Sequence, residues 1–338
     1  MPAKTEKYAD IFDVAKAAGV STATVSRTLN HPNKVKPDTR KRIEKAILDT
    51  GYIRNRAAQA IHGTKSGTIG LVVPTLDNAI FSKLIQAFSD ELQKNGFSML
   101  VATHDYDLDR EFDLVRTLLG HRVEGIALIG LTHRDRTLDL LEKRNVPMMC
   151  LWSFEKDAKV NCVGGNNFQA GKIIAGYLRK RNLKHVVTMF PAQTDNDRVE
   201  KRLDGVLVGL ANSGIEISEK QQLVSRYSVA EARKVTGNYL TNFDLPQVFV
   251  AGNDVIAQGI ISELQAQRRK IPKDVSVVGF GDFTSSADVF PSITTIRMNP
   301  TKVGVVGAFE LIRLVQEGSK TLKKVEVPVE LIVRESSI

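Results

Sequence analysis

From Thr68 onward the chain alternates short apolar runs with amphipathic stretches, and no other feature restricts its architecture as much. "IGLVVPTL", "SMLVATHD", "GIALIG" and "PMMCLW" are runs of strand length. The first two flank "FSKLIQAFSDELQKNGF", apolar on one helical face, and further helices are predicted near 110–121 and 134–145. The pattern resumes after Cys162: helix 168–180, "HVVTMF", helix 197–213, "QQLVSRY", helix 229–241, "PQVFVAG", helix 255–269, "VSVVGF". Near-continuous apolar strands between helices predict parallel sheets covered on both faces. These strands are too many for one typical sheet, and the run divides near Cys162 into two similar halves. We expect two doubly wound α/β subdomains, with a ligand cleft at the C-terminal strand ends.

The first 65 residues read differently. They hold 13 Lys and Arg against 6 Asp and Glu, a surplus of 7 out of the chain's net +9. A basic head on a nearly neutral body points to a polyanion at one end of the molecule. "IFDVAKAA" has helical apolar spacing, and Gly19 suits its C-terminal cap. Ser21 fits the N-cap of a second helix, 22–29. "HPNKVKP" reads as a turn-rich loop, and Asp38 or Thr39 as the start of a third helix stopped by Gly51. Two helices around a tight glycine turn, then a third, fit a helix-turn-helix. Residues 52–65 read as a basic linker of weak helix propensity, with Asn55 as its N-cap.

Several function classes lose ground on motifs. "GNNFQAGK" resembles a phosphate-binding loop, but Asn166 stands at its first glycine position and Ile173 where a hydroxyl must bind magnesium. No serine elbow or carboxylate pair stands out, so we expect no catalytic residues. The six histidines make no ligand spacing, and neither a metal nor a cofactor is expected. Cys150 and Cys162 lack CxxC spacing and are expected to be reduced and buried. With no membrane-spanning run and no apolar signal core at the N-terminus, the expected location is the cytoplasm. Polar residues cluster just after strands: Asp77 and Asn78, His104 and Asp105, Asn253 and Asp254, and Asp282. Each could be a helix cap, whereas together at facing strand ends they favour a polar ligand.

"IFDVAKAAGVSTATVSRTLN…V…TRKRIEKAILDTGYIRNRAAQAI" resembles the DNA-binding head and hinge of the lactose-repressor (LacI/GalR) family. "PQVFVAGNDVIAQGIISELQAQRRKIPKDVSVVGFGDF" and "PSITTIR" resemble its effector domain, and the likeness spans roughly 9–335. It implies a homodimeric, ligand-controlled transcription regulator, with a helix-turn-helix head and a periplasmic-binding-protein-like (type I) core. The implied boundaries are 9–54 for the head, 55–66 for a hinge helix and 67–338 for the effector domain. Within the last, 67–164 and 297–322 would form the N-subdomain, and 165–293 and 323–338 the C-subdomain. A small-molecule receptor without specific DNA recognition, or a sugar-handling α/β enzyme, is the alternative.

On this resemblance helix 22–29 reads the major groove. Thr22 and Ala23 occupy the family's specificity-setting pair, and Arg27 can read guanine O6 and N7. Ser21, Thr24 and Ser26 suit phosphates and docking, and Asn30, Thr39, Tyr52, Asn55, Arg56, Ala58 and Gln59 complete the implied DNA contacts. Ile61 stands where the family inserts an apolar wedge into the minor groove, and Arg54 replaces the family's usual hinge proline. The effector cleft is implied to take Asp77, Phe81, His133, Trp152, Phe168, Arg202, Asn253, Asp254 and Asp282. The usual "G-F-D-D" is "GFGD" here, with Gly281 removing one negative charge, and "LTHRDRTLDLLEKRNVPMM" resembles the gluconate-repressor branch. The expected effector is therefore a sugar, with an anionic sugar acid or sugar phosphate favoured, and the expected operator is pseudo-palindromic double-stranded DNA.

Overall fold

The computed structural model describes residues 9–53, 66–77, 79–318 and 321–338. Asn55, Arg56, Ala58, Gln59 and Ile61 lie outside the described residues, as does the proposed hinge helix. The chain divides into two compact units, Met1–Ser66 and Gly67–Ile338.

The first unit contains helices α1 (Ile11–Ala18), α2 (Thr22–Asn30) and α3 (Pro37–Thr50). Asp10 caps α1 in a reciprocal box with Asp13, and Gly19 ends it in the left-handed region at φ 62°. The Ser21 hydroxyl accepts from the Thr24 N–H at 3.2 Å and starts α2. Helix α3 begins earlier than the sequence suggests, because Pro37 takes its first turn, where the lost N–H costs nothing. Val14, Ala15, Ala18, Val25, Ile43 and Ala46 make the small core of this unit.

The second unit holds two six-stranded sheets. Strands β1 (Thr68–Val73), β2 (Ser98–Thr103), β3 (Gly125–Ile129), β4 (Met148–Ser153), β5 (Cys162–Gly165) and β11 (Lys324–Glu326) form the first, in the order β11-β5-β4-β3-β1-β2. The second contains β6 (Val186–Phe190), β7 (Gln222–Val224), β8 (Val248–Ala251), β9 (Ser276–Gly281), β10 (Thr294–Arg297) and β12 (Glu330–Ile332), in the order β12-β10-β9-β8-β6-β7. All recorded pairings are parallel except β10 with β12. The expected pair of parallel sheets is therefore present. One assignment changes: β11, expected with the second sheet, hydrogen-bonds to β5 of the first. The chain thus crosses between sheets within its last segment, Lys324–Ile332.

Helices α4 (Ala79–Lys94), α5 (Leu108–Gly120), α6 (Asp135–Lys143) and α12 (Pro300–Glu317) belong with the first sheet. The remaining helices are α7 (Asn167–Lys180), α8 (Asp197–Ala211), α9 (Val229–Asn242), α10 (Asp254–Ala266) and the short α11 (Thr284–Asp288). Helices α7 and α8 cross at backbone contact: a Cβ on Gly205 would stand 2.1 Å from the Phe168 carbonyl, and one on Gly171 would stand 2.2 Å from that of Arg202. This approach brings the N-terminal turns of both helices, with Asn167, Arg198 and Arg202, to one place. Among the described residues no helix is long and apolar enough to cross a membrane.

Candidate functional site

The C-terminal ends of the two sheets share a cleft. Its deep end is a cavity of about 20 Å³ lined by Phe81, Tyr106, Trp152, Arg198, Arg202, Tyr227 and Asn253. Tyr106 and Tyr227, with ring centroids 5.8 Å apart, separate it from an outer cavity of about 780 Å³. That outer space is bordered by Asp77, Asp105, Asn196, Arg226 and Glu231 among others.

Strand β4 delivers Trp152 in an unusual backbone state, φ 79°, rare for a bulky residue and costly unless its surroundings enforce it. Its ring meets Phe81 edge-on at 5.9 Å, forming an aromatic floor. Opposite lies Arg202, buried to 3 % exposure. Its Nε donates to Asn167 Oδ1 at 2.8 Å and its Nη1 to the Gly252 carbonyl at 3.3 Å. Its guanidinium stacks 5.5 Å from the Phe280 ring centre. Arg202 forms no ion pair with a carboxylate among the described residues, and burial pushes its pKa down. Asn253 caps α10 by accepting from the Ile256 N–H at 2.9 Å. Its amide nitrogen is buried with no partner, although the same residue lines the pocket. The side chain thus caps the helix through its oxygen while the residue borders the pocket.

Arg198 and Asp197 were not singled out from sequence. Asp197 accepts from Ser153 Oγ at 2.7 Å, at the end of β4, and from the Leu131 N–H at 3.1 Å, in the loop after β3. Arg198 donates to Asp197 at 2.9 Å and to the Ile129 carbonyl at 3.1 Å. Gly130, at φ 94°, makes room for them: a Cβ there would lie 2.0 Å from Arg198 Nη1. Nearer the surface Arg134 grips Asp195 with two bonds, of 3.0 and 3.2 Å. The two halves of the cleft are therefore joined by polar side chains as well as by crossing strands.

Of the nine effector candidates, Phe81, Trp152, Arg202 and Asn253 meet in the deep pocket, and Asp77 lines the outer one. Phe168 borders a small adjoining cavity with Asp197 and Asn167. Three face elsewhere, which corrects their expected placement. Asp254 is fully buried and accepts from Ser286 Oγ (2.6 Å), Thr295 Oγ1 (2.6 Å) and the Phe283 N–H (3.1 Å). Burial pushes its carboxyl up against these bonds. His133 is sealed inside the first subdomain against Glu111 at 2.9 Å.

Asp282 lies between Arg297 and Arg334, each 2.6 Å away. Burial would raise its carboxyl, but the two guanidiniums outweigh it and hold it below the usual carboxylate range. A depressed folded-state pKa means that the stabilisation is in place above the unfolded value and is lost as pH falls through the folded one. Asp282→Asn should therefore destabilise the fold by on the order of 2 kcal/mol at neutral pH. Urea midpoints should show that deficit shrinking toward pH 3, and an equal deficit at all pH values would contradict the charge pairing.

On the head, α2 exposes Ala23, Arg27 and Asn30, spaced along one face, while Val25 and Thr28 are buried. Ser21, itself exposed, hydrogen-bonds Thr24 at 2.9 Å. Asn30 donates to Ser26 at 3.3 Å. Thr22, Thr24, Ser26 and Thr39 are half-buried, and Tyr52 packs on the small core. The Arg27 side chain has no hydrogen-bond or ionic partner among the described residues, while its carbonyl accepts from the His31 N–H at 2.7 Å.

Residues 10–55 match the family model for bacterial regulatory proteins of the lacI family, and residues 175–337 match that for a periplasmic binding protein-like domain. The chain is 27 % identical to the HTH-type transcriptional regulator RegA of Clostridium saccharobutylicum, over 97 % of this chain and 99 % of that protein. Identity is also 27 % with the HTH-type transcriptional regulator GntR of Pseudomonas aeruginosa, over 96 % of this chain and 94 % of the relative. Among solved structures, the lac repressor dimer bound to operator and the anti-inducer ONPF superposes with a TM-score of 0.87 at 24 % identity, covering 98 % of this chain and all of that one. At that identity the likeness is one of fold.

Proposed function

Because the chain belongs to the LacI/GalR family of bacterial DNA-binding regulators, we propose that it is an operator-binding repressor governed by an anionic sugar derivative, a sugar acid or sugar phosphate. The carrying observation is the buried Arg202, which forms no ion pair among the described residues and shares a pocket with the Asn253 amide nitrogen. A buried guanidinium without a counter-ion is costly, and a carboxylate or phosphate entering the deep pocket would supply one. The outer cavity suits the rest of such a molecule. Asp77, Asp105, Asn196 and Glu231 offer acceptors to hydroxyl groups, and the tyrosine and tryptophan rings offer flat faces to a sugar chain.

In the first unit the exposed face of α2, with Arg27 at its centre, is the proposed reading surface for operator DNA. Such a protein acts as a dimer, so that two α2 helices meet two half-sites of a pseudo-palindrome. Its place of work is the cytoplasm, with the chromosome. Effector control needs differential affinity of the effector for two arrangements of the dimer. The bonds of Asp197 with Ser153 and Leu131, of Arg198 with the Ile129 carbonyl and of Arg134 with Asp195 are the elements we expect to differ between them.

Isothermal titration of the full chain with sugar acids, sugar phosphates and their neutral parent sugars tests this reading. Binding of acids or phosphates at least tenfold tighter than the parent sugars is expected, since one charge-assisted bond is worth about 1.5–3 kcal/mol. Tight binding of neutral sugars alone would overturn it.

A further inference from the structure

Cys150 and Cys162, the two cysteines of the chain, are register partners on the adjacent parallel strands β4 and β5. Partners in register project to the same face, and neighbouring strands lie about 4.8 Å apart, within the Cα range a disulfide spans. Cys150 Sγ is 3.5 Å from His133 Nε2, which also faces the Gly130 carbonyl at 3.2 Å. His133 Nδ1 is 2.9 Å from Glu111 Oε1. Thiol, imidazole and carboxylate thus stand in line, the arrangement that activates a nucleophilic thiol. The pocket proposed for the effector uses none of these groups. Cys162 Sγ accepts a hydrogen bond from the Glu155 N–H. That bond comes from the loop of residues 154–161, whose Glu155, Lys156 and Asp157 are exposed.

We propose that Cys150 and Cys162 form a peroxide-responsive dithiol, in which the Cys150–His133–Glu111 line generates the attacking thiolate and Cys162 resolves the product into a disulfide. Burial lowers the His133 pKa, but Cys150 and Glu111 outweigh it and carry the imidazole up to about 10. The imidazole is therefore charged at neutral pH, with Nε2 3.5 Å from the Cys150 sulfur, and a cation so placed is what activates a thiol. Burial pushes the Cys162 thiol up, so this second sulfur keeps its proton. Those states suit two different steps. The Cys150 thiolate attacks one oxygen of hydrogen peroxide; an S–O bond forms, the O–O bond breaks, and the departing hydroxide takes the Nε2 proton of His133 and leaves as water. The Cys162 sulfur then attacks the sulfenic sulfur. The S–S bond forms, the S–O bond breaks, and the hydroxide leaves as water with the Cys162 proton. Each sulfur loses one electron and each peroxide oxygen gains one, so two thiols and one peroxide give one disulfide and two waters. Both sulfurs are shielded from solvent. Peroxide is small and neutral, and transient local opening of the kind every fold undergoes would admit it. The bond would join β4 and β5 two residues below Trp152 and Gly164, at the floor of the cleft.

The test is titration of the full-length, folded protein with hydrogen peroxide, followed by thiol alkylation and intact mass measurement. Expected is the joint loss of both alkylatable thiols, a chain lighter by two hydrogen atoms, a crosslink between the peptides carrying residues 150 and 162, and full reversal by dithiothreitol. In Cys162→Ser a dimedone adduct should form at Cys150, whereas in Cys150→Ser residue 162 should stay reduced at the same dose. His133→Gln, checked for folding by circular dichroism, should slow disulfide formation about tenfold or more. The proposal fails if both thiols of the folded protein stay alkylatable at doses that oxidise the urea-unfolded chain. It fails equally if the disulfide joins two chains, or if Cys162 reacts first when Cys150 is absent.

Discussion

Replacing Arg202 with methionine should abolish the response to an anionic effector while leaving the unliganded protein nearly as stable as before. Arg202 is 3 % exposed and donates to Asn167 and Gly252. Losing a buried, charge-assisted contact to a ligand costs about 2–5 kcal/mol, or roughly 30-fold to a few thousand-fold in affinity. In the free protein two effects oppose each other. Removing a buried charge that has no counter-ion is worth on the order of 1–4 kcal/mol in favour of the variant. Leaving the Asn167 Oδ1 and the Gly252 carbonyl without a donor costs about 1–3 kcal/mol each. These largely cancel, and methionine fills a similar volume beside Phe280. The signature is therefore a lost ligand-induced shift with little change in the free protein's melting midpoint. The wild type at 100 times its Kd should gain about 2.7 kcal/mol from ligand, and the variant essentially none. A residue kept for packing alone would give the reverse: a lowered midpoint and an intact ligand shift. Differential scanning calorimetry with and without the tightest ligand from the titration series separates the two.

Parallel strands were legible because they are apolar on both faces: "GIALI" and "VVTMF" are buried throughout, and their composition says so. β5 was not: "CVGG" is four residues long, and nothing local distinguishes it from loop. β12 and most of β11 fall in "VEVPVELIVRESSI", which reads as strand-like, but nothing local says which sheet each joins. Pairing comes from neighbours far away in sequence, which is why β11 was expected in the other sheet. The site divides along the same line. Asn253 and Asp254 are adjacent and both follow β8, yet one faces the cleft and the other turns into the core toward Ser286 and Thr295. Composition after a strand announces a polar turn, and the fold alone decides which side chain meets the ligand. His133 misled for a similar reason: its partner Glu111 is 22 residues earlier, on α5. Arg198 shares α8 with Arg202, one turn earlier, and would have been a fair guess from i, i+4 spacing once Arg202 was chosen.

Arg27→Ala should cost operator affinity through sequence reading rather than through the fold. Arg27 is exposed on α2 and its side chain has no partner among the described residues, whereas Val25 and Thr28, which anchor that helix, are buried and untouched by the change. The head should therefore melt as before, within about 0.5 kcal/mol. A guanidinium reading guanine O6 and N7 with two bonds contributes about 1–3 kcal/mol of discrimination. A dimer carries two such helices, so the loss at a symmetric site approaches about 2–6 kcal/mol. Binding to random duplex rests on the basic surplus of residues 1–65 and should fall only slightly, with a salt slope shallower by at most about two phosphate contacts. Ser21→Ala supplies the contrast. It removes the cap that accepts from the Thr24 N–H and so costs about 1 kcal/mol of head stability. Affinity should drop across all sequences together, with no change in which bases are preferred. Selection of bound duplexes from a random pool, run on the wild type and both variants, reads these effects separately. A palindromic consensus that loses one guanine per half-site in Arg27→Ala alone places α2 in the major groove. Salt-sensitive binding with no consensus in any of the three would reduce the head to a polyanion patch and leave the cleft as the specific binding surface of the molecule.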